Sequence, residues 1–98
     1  MRPSFAELMK RWHCRPIRHC PGRYVLAGCP AGRTPEQLLD GQVEVASFAV
    51  PAARDRVFVA ALEGGGLISY QRKDGTFMHT LGDESGFRRK LEALQISI

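Results

Sequence analysis

The segment "WHCRPIRHCPGR", residues 12–23, gathers side chains that could do three kinds of chemistry. It holds the pairs His13-Cys14 and His19-Cys20, with Arg15, Arg18 and Arg23 between and after them. Imidazole and thiolate are zinc ligands, and structural zinc takes four in a tetrahedron. The spacing does not suit that use. No Cys-Cys pair sits on a tight knuckle, and neighbouring His-Cys side chains point apart. The better set, Cys14 with His19 or Cys20 and with Cys29, lacks a fourth ligand. The expectation is therefore no metal and no cofactor, with Cys14 and Cys20 as small half-buried residues beside a turn.

The arginines suggest a second chemistry. Guanidinium forks bind phosphate and carboxylate. Arg11, Arg15, Arg18, His19 and Arg23 are the expected binding residues, with Arg33 as an extension. Trp12, His13, His19 and Tyr24 interleave with them and could stack on bases of a single strand. Trp12 also fits an apolar helical stripe, which makes it a core residue first. No RNP, KH, helix-turn-helix or finger signature accompanies the basic segment. Neutralising Arg15, Arg18 and Arg23 together is expected to weaken binding and to spare the fold.

The third chemistry is nucleophilic. A reactive thiol needs a positive neighbourhood, which arginines would give Cys20. It also needs a base at hydrogen-bond distance, for which His19 and His79 are the candidates. His79, Tyr70, Asp83 and Glu84 are the remaining acid–base groups of interest. None is assigned a catalytic role. The triple glycine of "EGGGLIS" lacks the Lys-Ser/Thr of a phosphate loop and precedes no helix, so it reads as a flexible or bulged link.

Charge follows the same division. The chain carries net charge +4. Residues 1–33 hold seven Arg/Lys and one acid, giving +6; residues 34–98 hold seven basic and nine acidic residues, giving −2. Such asymmetry suits a polyanion-facing surface. The expected function is thus a small cytoplasmic binding or adaptor module, not an enzyme. It would meet an acidic protein surface or nucleic acid through segment 11–23. The alternative is a thiol-dependent enzyme or redox protein using Cys20 with a histidine. A homodimer could also neutralise the segment, and an edge strand could take up a partner's strand.

These side chains need a scaffold. Ninety-eight residues suffice for one domain with one core. Forty-four per cent of residues are hydrophobic and 24% charged, which is the balance of a folded globular chain rather than a disordered one. No apolar run reaches the ~20 residues of a membrane helix, and the N-terminus has no apolar signal core. The odd cysteine count, Cys14, Cys20 and Cys29, speaks against a disulfide framework and for reduced thiols.

Periodicity supplies the elements. "SFAELMKRW" predicts a helix capped by Ser4, with Glu7 at the capping-box position and Phe5, Leu8, Met9 and Trp12 on one face. Pro16 ends it by about Cys14. "RYVLAG" is a first strand. "TPEQLLDG" is a compact helix with Thr34 at the N-cap, Pro35 at N1 and Gly41 beyond its end. "QVEVASFAV" and "RVFVAALE" are strands joined by a turn at "PAARD", the second apolar on both faces and so central. "GLISYQRKDGTFMHTL" predicts a hairpin with Asp74-Gly75 as a two-residue type I′ turn. That turn would oppose Tyr70 to His79 and Ile68 to Leu81. It would put Ile68, Tyr70, Phe77, His79 and Leu81 on a core face, and Leu67, Ser69 and Met78 on a wetter one. "DESGFRRKLEAL" is a closing helix capped by Asp83 or Ser85, with Arg88 and Glu92 as an exposed pair. The tail "QISI" should pack.

The expected fold is α+β in a single domain, 1–98. An N-terminal helix (1–14) and a basic loop (15–22) precede a sheet of about five antiparallel strands (23–81), which carries a short helix at 35–40. A C-terminal helix (83–95) closes the chain. An open meander and a small SH3-like barrel both satisfy this pattern.

Overall fold

The computed structural model describes residues 2–30, 32–51 and 55–98. Helix α1 spans Phe5–Arg11, and Ser4 caps it by accepting from the Glu7 N–H at 3.2 Å. Strands β1 (Arg15–Pro16) and β2 (Arg23–Val25) follow. Helix α2 (Pro35–Leu38) has both halves of its capping box: Gln37 N–H donates to Thr34 Oγ1 and Thr34 N–H to Gln37 Oε1. Strands β3 (Ala46–Val50), β4 (Asp55–Leu62), β5 (Gly65–Gln71) and β6 (Phe77–Asp83) form a meander, and α3 (Glu84–Ala93) ends the fold. Asp83 is the α3 cap, with Gly86 N–H donating to its Oδ1 at 2.8 Å.

The architecture is α+β. Among the described residues, six antiparallel strands form one sheet in the order β1-β2-β6-β5-β4-β3. The edges β1 and β3 lie at opposite ends, so the sheet is open rather than barrel-like. Part of the predicted 15–22 loop is therefore strand: Arg15 and Pro16 pair with Val25 and Tyr24. β4 lies inside the sheet, as its two apolar faces require. The turn predicted at "PAARD" falls mostly on residues 52–54, outside the described residues.

Both faces are covered. On one, Leu8 of α1, Leu38 and Leu39 of the α2 segment and Leu26 bury Ala60, Leu67 and Leu81. On the other, Phe87 and Leu91 of α3 bury Val50, Val57, Val59 and Ile68. This arrangement overturns the predicted wet face, because Leu67 and Ser69 are fully enclosed.

The hairpin register also differs from expectation, by one residue. Ser69 opposes His79, Tyr70 opposes Met78, and Ile68 opposes Thr80. The cause is local. Gly75 N–H donates to Arg72 O at 3.0 Å, and Arg72 N–H to Thr76 O at 2.8 Å. The loop is thus Lys73-Asp74-Gly75, a type I turn followed by a left-handed glycine at φ 87°. The Asp74 carboxylate fixes this choice by accepting from the Thr76 N–H and hydroxyl. A one-residue slip moves side chains to opposite faces. Ile68, Tyr70, Met78 and Thr80 therefore share the α3 face, while Leu67, Ser69, Phe77, His79 and Leu81 share the other.

Three smaller expectations change as well. The exposed pair on α3 is Glu84–Arg88 at 3.7 Å, with the acid N-terminal, the order that helices favour. The tail packs only in part: Ile96 lies on the α3-side core, whereas Ile98 is 63% exposed. Gly65 and Gly66 are strand residues, not a loose link. The Phe87 ring sits directly over Gly66, where a Cβ would come within 2.3 Å of the ring.

Candidate functional site: a cationic pocket beside helix three

The site grows from Arg23. Its position on β2 opposes Gly82, on the α3 face of the sheet. The short strand and the Pro21-Gly22 turn hold its backbone, and its Nη2 donates to Thr80 Oγ1 on β6. The Thr80 hydroxyl passes the bond on to Ile68 O at 3.1 Å. Arg23 is only 8% exposed, and its Nε–H has no partner. Burial holds this guanidinium below its usual pKa, with Tyr70 and Cys20 acting the other way. A buried donor left unpaired is costly, and it marks a place where an acceptor is missing.

Beside it lies a pocket of about 410 Å³, within the range of small-molecule sites. Ile17, Cys20, Arg23, Tyr70, Arg72, Met78, Thr80 and Lys90 line it. Lys90 Nζ stands 5.7 Å from the centre of the Tyr70 ring. Three cations, two hydroxyls and an apolar wall thus meet there, and among the described residues no carboxylate lines it. Two smaller hollows share Cys20 and Arg23 with it. One adds Pro16, His19 and Tyr24, and the other, which also shares Lys90, adds His19 and Arg89. Arg89 Nη2 donates to Pro21 O at 2.7 Å, tying α3 to the same turn.

The expected binding residues are divided by this geometry. His19 and Arg23 line the hollows, and Arg18 is exposed between Ile17 and His19. Arg15 opposes Val25, on the same face of the sheet as Thr80, and is exposed at the edge. Arg11 belongs elsewhere: it pairs with Asp40 at 3.4 Å and with Glu7 at 3.9 Å, both on exposed groups. Arg23 is buried and bonded to Thr80, so neutralising it is expected to cost stability as well as binding.

Arg72, Lys90 and Arg89 were missed. Arg72 shares the face of Ile68 and Tyr70 by strand alternation, but the expected register paired that face with Phe77, His79 and Leu81 instead of Met78 and Thr80, and the helix pattern of α3 says nothing about which strand it meets. With the corrected register, Tyr70, Arg72, Met78 and Thr80 alternate onto the face that carries Arg23. That alternation is the signal that could have found Arg72; Lys90 and Arg89 follow only from where α3 docks.

Of the interleaved aromatics, His19 borders both side hollows and Tyr24 one of them, whereas Trp12 lies apart. Trp12 packs on the α1-side core with the Arg33 guanidinium 5.4 Å over its ring. Tyr24 packs on the same core, 5.8 Å from Phe5. The zinc set is split too. Cys14 and Cys29 are half-buried against that core, whereas His19 and Cys20 are exposed. Burial and the neighbouring Cys29 push the Cys14 thiol up to about 11.

His79 does not approach Cys20. It lies on the opposite face, 7% exposed, with its ring stacked on Phe77. Its Nε2–H donates to Arg33 O at 2.7 Å, so Nδ1 is bare and accepts from the Ser69 hydroxyl at 2.6 Å. The pair resembles a catalytic dyad in composition only, because Ser69 is fully buried. Its role is to pin the α2 segment across the sheet.

Protonating Nδ1 reverses the Ser69 bond and leaves the buried Ser69 hydroxyl proton without this acceptor, and burial holds the His79 pKa below its ordinary value of 6.5. The unfolded chain therefore binds this proton more readily. The His79 contribution is complete above about pH 6.5 and is lost as pH falls toward the folded pKa, at no more than ~1.4 kcal/mol per pH unit. Urea midpoints between about pH 7.5 and about pH 5.5 should fall with acid. The His79→Gln variant should show a flatter profile, and an unchanged slope would contradict this role.

The chain matches no known protein family, no curated protein and no solved structure.

Proposed function

We propose that the protein is a non-enzymatic binding module that captures an acidic segment of a protein partner. The capture surface is the Arg23–Arg72–Lys90 pocket, with Arg18 and His19 beside it. One observation carries this proposal: a buried arginine with an unpaired N–H beside a pocket that holds two more cations and no described carboxylate. A carboxylate or phosphate entering there gains charge-assisted bonds from Arg72 and Lys90 beside the buried Arg23 charge. A cytoplasmic setting, in which the cysteines stay reduced, belongs to the same proposal.

Nucleic acid is the weaker candidate. Single-strand binding draws on exposed stacking platforms. Trp12 and Tyr24 are spent on the opposite core, and Tyr70 is half-buried beside Lys90.

Fluorescence anisotropy with a labelled acidic peptide bearing one phosphoserine, and with a labelled single-stranded RNA, compares the two directly. The peptide should bind more tightly, and its affinity should drop between low and physiological salt. Tighter binding of the RNA would reassign the surface to nucleic acid. Binding of neither would remove the function.

A further inference from the structure

We propose that Cys20 is a modification site that takes a glutathionyl group from an anionic disulfide, and that this adduct closes the cationic pocket to its partner. The second half rests on the proposed function; the first does not. Cys20 is exposed, while Cys14 and Cys29 are half-buried. It lines the main pocket and both adjoining hollows, and Arg23 accompanies it in all three. The Arg23 side chain is more than nine-tenths buried, with its Nε–H unpaired. Arg72 and Lys90 share the main pocket, and His19 and Arg89 border the side hollows. No described carboxylate lines any of the three. A thiol among cations in a concave site draws anionic reactants by raising their local concentration. Each glutathionyl group carries two carboxylates, and the pocket has the volume to seat them.

The step is a thiol–disulfide exchange. Cys20 gives its proton to solvent, and its thiolate attacks one sulfur of glutathione disulfide. A new S–S bond forms as the old one breaks, and the second glutathione leaves as a thiolate that takes up a proton. Cys20 is oxidised to the disulfide level and one glutathione is reduced, so the disulfide itself is the oxidant. Reduced glutathione in excess reverses the step.

The test compares adduct formation by glutathione disulfide with that by cystamine, a cationic disulfide, using intact mass and peptide mapping. Glutathione disulfide should react about tenfold faster at low salt, with the advantage lost as salt screens the pocket. The adduct should map to Cys20 and disappear in Cys20→Ser. Arg72→Gln with Lys90→Gln should remove the preference for the anionic disulfide while leaving Cys20 reactive. Cystamine reacting as fast or faster, or an adduct on Cys14 or Cys29, would overturn the site. The purified adduct should then lose affinity for the acidic phosphopeptide. An adduct that binds the peptide unchanged would overturn the gating. Unmodified protein that binds no peptide would instead remove the function, with the Cys20 selectivity still standing.

Discussion

Gly86→Ala should destabilise the protein by about 2 kcal/mol, although the residue lies in the first turn of a helix. Helix propensity predicts the opposite sign, since alanine is favoured over glycine by ~1 kcal/mol in a helix interior. Packing decides the outcome. A Cβ on Gly86 would stand 2.4 Å from the carbonyl oxygen of Gly22 and 2.7 Å from its carbon. Neither atom is free to retreat, because Gly22 O already accepts from Asp83 N–H at 2.9 Å. Gly22 itself sits at φ 77°, and a Cβ there would meet the Asp83 carboxylate. The start of α3 and the Pro21-Gly22 turn are therefore interlocked. A loss of this size lowers Tm by roughly 10 °C in a chain of this length. Ser85→Ala, at an exposed position one residue earlier, is the control and should change Tm little. A rise in Tm for Gly86→Ala would show that the turn yields. The turn would then not hold Cys20 and Arg23 against α3.

The second large effect falls on binding. Arg72→Gln and Lys90→Gln should each weaken capture of an acidic peptide by roughly tenfold, and together by roughly a hundredfold, from about 1.5 kcal/mol per lost charge-assisted bond. Folding should survive. Arg72 is exposed, so its replacement costs within about 0.5 kcal/mol. Lys90 covers the Tyr70 ring, so its loss costs up to about 1 kcal/mol. Arg11→Gln is the matched control. It removes the same charge from the opposite side, where Asp40 and Glu7 already occupy the guanidinium. Equal losses from Arg11→Gln and Arg72→Gln would reduce the pocket to a general effect of net charge.

Local signals in the chain were legible where one residue's chemistry decided the outcome. Thr34-Pro35-Glu36-Gln37 specifies a capped helix start with its own side chains. Ser4 and Asp83 do the same for α1 and α3. The two-sided apolar pattern of β4 required an interior strand, and the sheet provides it. The hairpin shows where this legibility stops. Asp-Gly suits both a two-residue type I′ turn and a type I turn with a left-handed glycine. The Asp74–Thr76 bonds select the second.

That single choice exchanged the two faces of β5 relative to β6 and hid the site. Arg23, Arg72 and Lys90 are 49 and 18 residues apart in the chain (72 − 23 and 90 − 72). Only strand order and register bring them together. The basic stretch near the N-terminus was visible as charge. Its division into a buried Arg23, an ion-paired Arg11 and exposed Arg15 and Arg18 is a property of the packed sheet.

The most direct test of the cationic pocket is an amide NMR titration of labelled protein with the acidic phosphopeptide, at low and at physiological salt. Capture in the pocket should give saturable shifts confined to residues 17–23, 70–72, 78–80 and the Lys90 turn of α3, suppressed by salt and absent in the Arg72→Gln, Lys90→Gln variant. Shifts centred on Arg11 and α2, or none at either salt, would contradict it.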